Sequence, residues 1–108
     1  MIRHILFWKL QEEYREGEKR REAEARLAAS VETLAPIPGL HNAKIGPNLA
    51  GGEYDLVFYA DLDDRDALAA FRDHPLHVAH RERCASLVTG RLAGRPESSQ
   101  TLFCSTTS

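Results

Sequence analysis

Two stretches of this chain are apolar on both faces when drawn as strands, and 108 residues cannot cover both sides of a sheet that holds them. Ile2–Leu10 is rich in β-branched and aromatic residues, the composition of a strand. Its period of two puts His4, Leu6, Trp8 and Leu10 on one face and Ile5 and Phe7 on the other. Tyr54–Ala60 repeats the pattern, with Leu56, Phe58 and Ala60 opposed by Val57 and Tyr59. Strands of this kind are buried on both sides. A chain this short makes one domain with a modest core. One layer of helices covers one face, so a second copy of the chain is the simplest cover for the other.

The remaining segments supply that layer. Gln11–Arg26 holds six acids and five bases and reads as the solvated face of a helix, with Glu16–Arg20 and Glu22–Arg26 as i, i+4 pairs. The stripe Ala23, Leu27, Val31, Leu34 predicts a helix over residues 18–35, stopped by Pro36-Ile37-Pro38-Gly39. Leu40–Ile45 is a weaker strand, and the glycines at 46, 51 and 52 are turn chemistry without the spacing of a phosphate loop. Asp63 or Asp64 caps a short helix through Phe71. A last strand falls within residues 86–93. The expected unit is α+β: a four-stranded antiparallel sheet with two helices on one face, the second of them kinked. Residues 94–108 turn to Ser, Thr, Pro and Gly and are expected to form a flexible tail, apart from an apolar patch at Thr101–Cys104.

Composition narrows the function classes. A net charge of −2 with acids and bases intermixed points away from nucleic acid and anionic membranes. No apolar run approaches a membrane span, and the N-terminus lacks the layout of a signal peptide. Two cysteines, Cys84 and Cys104, make no disulfide framework, so a reducing, cytoplasmic setting is expected.

Three of the five histidines fall in Phe71-Arg72-Asp73-His74-Pro75-Leu76-His77-Val78-Ala79-His80. Proline suits the first position of a helix and pushes its predecessor out of helical geometry. One helix therefore ends near Arg72 and another runs over residues 75–87. At about 100° per residue, Leu76, His77, His80, Cys84, Leu87 and Val88 share one arc of roughly 120°. His77, near its centre, faces a core or a pocket. His74 caps the helix or lines a rim. A ring in an apolar wall has a shifted pKa, which makes His77 a candidate general base, unless Asp55 or Asp73 opposes the shift. A packed, hydrogen-bonded core histidine is the competing reading. His4, on the strand face shared with Trp8, and His80, one turn beyond His77, are candidate substrate-binding residues. A metal site lacks a convergent carboxylate or thiolate ligand, and no cofactor is implied.

The opening M-I-R-H-I-L-F-W-K-L, the P-I-P-G-L turn, the Y-D-L-V-F-Y strand and the H-P-L-H element resemble the stress-responsive dimeric α/β-barrel (Dabb) domain family from Met1 to about Ala93. The resemblance implies a ferredoxin-like βαββαβ protomer and a homodimer joined sheet to sheet as a dimeric α/β barrel. Some members of that family are stress-induced proteins, and some form larger, very stable assemblies. One plant member is a polyketide cyclase whose base is the second histidine of H-P-x-H, here His77. Trp8, Phe71 and the rim residue His74 complete the candidate substrate-binding residues. Phe71 stands where the plant cyclase has a tyrosine, and it lacks that phenol. Broader relatives include cofactor-free monooxygenases and haem-degrading enzymes. The sequence leaves open a cofactor-independent enzyme of cyclase or lyase type acting on a small apolar or aromatic molecule, a non-catalytic stress homodimer, and monooxygenase-like chemistry.

Overall fold

The two segments with apolar residues on both faces become the two interior strands of one sheet. A computed structural model of the chain describes residues 1–95, so most of the expected tail, with its Thr101–Cys104 patch, lies outside the described residues. Strands β1 (Ile2–Leu10) and β3 (Leu56–Leu62) pair in the middle. Strand β2 (Leu40–Pro47) flanks β3, and β4 (Val88–Gly94) flanks β1, all antiparallel. Helix α1 (Gly17–Glu32) follows β1 after a single 3₁₀ turn at Glu12–Tyr14. Helices α2 (Arg65–Asp73) and α3 (Pro75–Cys84) lie between β3 and β4. This is the ferredoxin-like βαββαβ fold, its second helix broken in two at His74.

One face of the sheet carries the core. Leu6, Trp8 and Leu10 of β1, with Leu56, Phe58, Ala60 and Leu62 of β3, pack against Ala23, Leu27 and Val31 of α1 and Phe71 of α2. The P-I-P-G-L turn holds the chain close: Gly39 sits at φ +84°, and a Cβ there would lie 2.8 Å from that of Ala67. Only glycine meets both demands.

The other face carries Ile5 and Phe7 opposite Tyr59 and Val57, all half-buried, with Leu92 53% exposed beside them. Among the described residues no helix covers it. Arg3 lies over the Tyr59 ring (4.5 Å) and grips Asp61 with two hydrogen bonds of 2.7 and 3.0 Å. The Asn42 side chain donates a third, 3.2 Å. The Arg3 contact holds the Asp61 carboxyl below the usual carboxylate range.

Several boundaries differ from expectation. Helix α1 ends at Glu32 rather than 35; Leu34 and Ile37 are buried, but in the turns that follow. The expected Glu16–Arg20 pair does not form, because Glu16 is extended as the N-cap; Arg20 pairs instead with Glu24 at 2.9 Å. Helix α3 stops at Cys84. Leu87 is buried in the turn that follows, and Val88 already pairs with Leu10 in β4.

Asp55, weighed above as a partner for His77, is engaged elsewhere. Its buried carboxylate accepts from the Leu10 N–H at 2.9 Å and from Arg15 at 3.2 Å, with Arg20 at 3.6 Å. It thereby ties the end of β1 to the start of β3 and to the segment entering α1. Removing it leaves a buried N–H unpaired, a cost of about 1–3 kcal/mol. Asp55→Ala should therefore lower unfolding stability by about 2 kcal/mol, and Asp55→Asn by less, since an acceptor remains. Urea titration of the two variants checks this; equal midpoints for Asp55→Ala and the parent would refute it.

Candidate functional site

Break the second helix at Pro75 and its C-terminal half tilts its histidines toward the sheet. The Asp64 side chain caps α2 by accepting from the Ala67 N–H at 2.8 Å, and His74 is extended between the helices. His74 Nδ1 accepts from the Leu76 N–H at 3.1 Å, so this ring is the N-cap of α3. It does not line the cavity beneath. Phe71 is fully buried and is likewise not among the lining residues; its ring packs 4.2 Å from that of His77 and backs it.

The other candidates converge. A cavity of about 200 Å³ is lined by His4, Leu6 and Trp8 of β1, Phe58 of β3, and His77 and His80 of α3. The His77 and His80 rings are 6.1 Å apart at 25°, and His80 lies 6.4 Å from Trp8. His77 is 9% exposed. Its Nδ1 lies 3.2 Å from the Arg72 carbonyl. A carbonyl only accepts, so Nδ1 carries the proton and the lone pair of neutral His77 is on Nε2. His80 Nδ1 shares a 2.8 Å hydrogen bond with the Ser30 hydroxyl on α1, and Arg83 Nε donates to the same oxygen at 3.0 Å. His4 Nδ1 accepts from Arg95 Nε at 3.0 Å.

Burial keeps all three rings neutral. Desolvation is the main cause of lowering in each, and it takes His4 and His80 down to about 4. Nearby Arg95 adds to the effect at His4, and His77 adds to it at His80. His77 is lowered by the same burial, against which its bond to the Arg72 carbonyl works. Asp73 lines the cavity but does not take the His77 proton. The Cys84 thiol, 3.8 Å from His80, is buried and pushed up, the state of an inert thiol.

Sequence reasoning missed the rest of the wall: Arg72, Arg81, Arg91 and Arg95. Arg81 is one turn beyond His77 and was legible on the helical arc. Arg91 was not, because it depends on a bulge. Lys9 pairs with Thr89 and Trp8 with Arg91, leaving Gly90 (φ +50°) as the extra residue. A regular ladder would place Arg91 opposite Phe7, on the other face. A larger groove, about 540 Å³ between α1 and α3, is lined by Ser30, Thr33, Arg83 and Cys84, but it gathers no histidine. Among the described residues no three His, Cys, Asp or Glu side chains are grouped to hold a metal, and no helix is long and apolar enough to cross a membrane.

The fold and this cavity define an α+β ferredoxin-like domain with a pocket of neutral histidines under its broken helix. The chain belongs to the stress-responsive A/B barrel domain (Dabb) family, whose model matches residues 2–94. A dimeric ferredoxin-like protein of unknown function from Thermobifida fusca is 31% identical, with 87% of each chain covered and a TM-score of 0.72. A Dabb family protein from Mesorhizobium loti is 22% identical, over 92% of this chain and 97% of that one, with a TM-score of 0.74. SnoaB, a cofactor-independent oxygenase from Streptomyces nogalater, shares the fold at 20% identity, over 94% and 95% of the two chains, with a TM-score of 0.70. Comparison of the sequence with curated proteins finds no match.

The lowered pKa values fix a pH dependence. Unfolded histidines titrate near 6.5 while folded His4 and His80 titrate at about 4, so below 6.5 the unfolded chain binds more protons. The stability that these rings permit at pH 7 is therefore lost as pH falls from about 6.5 toward 4. Each should contribute about 2 kcal/mol of loss between about pH 7.5 and 5. Denaturant unfolding of the parent and of His4→Leu across that range checks this. The variant should show the shallower slope, and parallel slopes would refute the assignment.

Proposed function

We propose that the chain is a homodimer that binds a small, largely apolar molecule in the cavity under α3, where His77 acts as a general base without a cofactor. The observation carrying this is the Nδ1 bond to the Arg72 carbonyl, which fixes the tautomer and leaves Nε2 as the basic atom. A neutral imidazole at pH 7 is suited to removing a proton from carbon next to a carbonyl. Nε2 takes the proton, the C–H electron pair enters the enolate, and the imidazolium returns its proton to the product. Phe71 has no hydroxyl to offer a substrate carbonyl, a difference from the plant cyclase that favours the second reading below. The buried free thiol of Cys84 suits a reducing, cytoplasmic setting.

A second reading is a non-catalytic binding protein. His4 and His80 are each hydrogen-bonded to a protein partner, as wall residues are. Turnover separates the two. The wild type should speed exchange of α-protons for deuterium in a panel of aryl ketones followed by NMR, with a rate that rises with pH and levels off below pH 7. His77→Ala should abolish the exchange and change stability by no more than about 1 kcal/mol, because the ring lines a cavity rather than filling a packed site. Exchange equal in both proteins, or a stability loss of about 2–4 kcal/mol without exchange in either, would defeat the base assignment.

The homodimer reading is supported by the half-buried Ile5, Phe7, Val57 and Tyr59 on the uncovered sheet face, and by similar folds described as dimeric from Bacteroides fragilis and Thermobifida fusca. Sedimentation should give about twice the 12.1 kDa chain mass. Val57→Asp or Tyr59→Asp should shift the chain toward monomer. A folded monomer of the parent at micromolar concentration would sink the proposal.

A further inference from the structure

We infer that the cavity under α3 selects small aromatic or alicyclic carboxylates, whose anionic group is held at the rim by Arg72, Arg81, Arg91 and Arg95. This rests on reading the cavity as a ligand site and names the class of ligand it takes. Among the described residues four arginines line this one cavity, against a single carboxylate, Asp73. They come from separate places: the end of α2, the last turn of α3, strand β4 and the residue after it. Such a concentration in a chain of net charge −2 is a local field, not a reflection of composition.

These arginines also differ from others in the chain in what they touch. Arg3, Arg15, Arg20 and Arg21 each hold a carboxylate. Arg72, Arg81 and Arg91 make no ion pair with another described residue, and the Nε of Arg95 is spent on a neutral imidazole. The guanidinium fork matches a carboxylate in shape and charge. The Gly90 bulge brings Arg91 to the Trp8 side of the sheet, and bulges on edge strands commonly re-aim a side chain in this way. Behind the charged rim, Leu6, Trp8 and Phe58 offer an apolar floor. A ligand with one anionic end and a flat apolar body matches both ends of the space.

The test pairs benzoate, cyclohexanecarboxylate and 2-naphthoate with their neutral amides, and follows binding to the full chain by calorimetry and by the fluorescence of Trp8, its only tryptophan. Carboxylates should bind at least about tenfold tighter than the amides, and the preference should shrink as salt rises from about 50 to about 500 mM. Arg91→Gln and Arg81→Gln should each weaken carboxylate binding about three- to tenfold and leave amide binding alone, with partial recovery in Arg91→Lys. Lys19→Gln, an exposed cation on α1, should change nothing. Equal binding of acid and amide would overturn the anion assignment while leaving the cavity a ligand site. Binding of neither by the folded wild type would overturn both.

Discussion

A period of two along a single interior strand governs most of this molecule. Even-numbered residues of β1 face the helices, and within that row His4 and Leu6 meet the cavity while Leu10 is sealed in the core. Odd-numbered residues Ile5 and Phe7 face away. Each large apolar side chain so placed contributes about 1.5–3 kcal/mol when buried, and a slip of one residue would exchange the two sets. Register is therefore strongly specified, and Asp55 reinforces it by taking the Leu10 N–H where the strand ends. Site and core are built from one row of side chains, so the rigidity of one is inherited by the other.

Electrostatics then divides the two faces. On the uncovered face, Arg3, Asp61 and Asn42 satisfy one another, so Asp61 is buried without an orphaned charge. Under α3 the opposite holds: the rings are neutral because burial disfavours their charged forms, and the nearby cations lie toward the rim. His80 links the cavity to α1 through Ser30, which also accepts from Arg83, so the two helices are joined by a polar contact. A buried hydroxyl with both neighbours satisfied costs little and orients the ring firmly.

Much of the fold was legible because it follows from periodicity. The two-faced strands, the α1 stripe and the kink at Pro75 are local statements, and each survived with boundary shifts of a few residues. The convergence of His4, Trp8, His77 and His80 followed from strand parity and helical phase. What stayed hidden was long-range. Nothing near Asp55 announces that it binds a residue 45 positions away, and Ser30 and His80 are 50 apart in sequence. The phase of α3 was right, but its end was not: an apolar residue such as Val88 fits a helical arc and a strand equally well. His74 and Phe71 share the motif with His77, yet one is used up in capping and the other in backing. Arg91 was invisible for a different reason, since alternation assumes an unbroken ladder.

That broken ladder ties two surfaces to one residue that touches neither. A β-branched side chain at position 90 disfavours a positive φ and favours regular pairing. The residues after it would then exchange sides, with Leu92 turning inward and Arg91 outward. A lineage could thus trade a charged pocket for an apolar one, and at the same stroke place a cation in the middle of the outer face. On the proposed function, ligand preference and self-association would change together, by heredity at a single site, with every contacting residue left as it was.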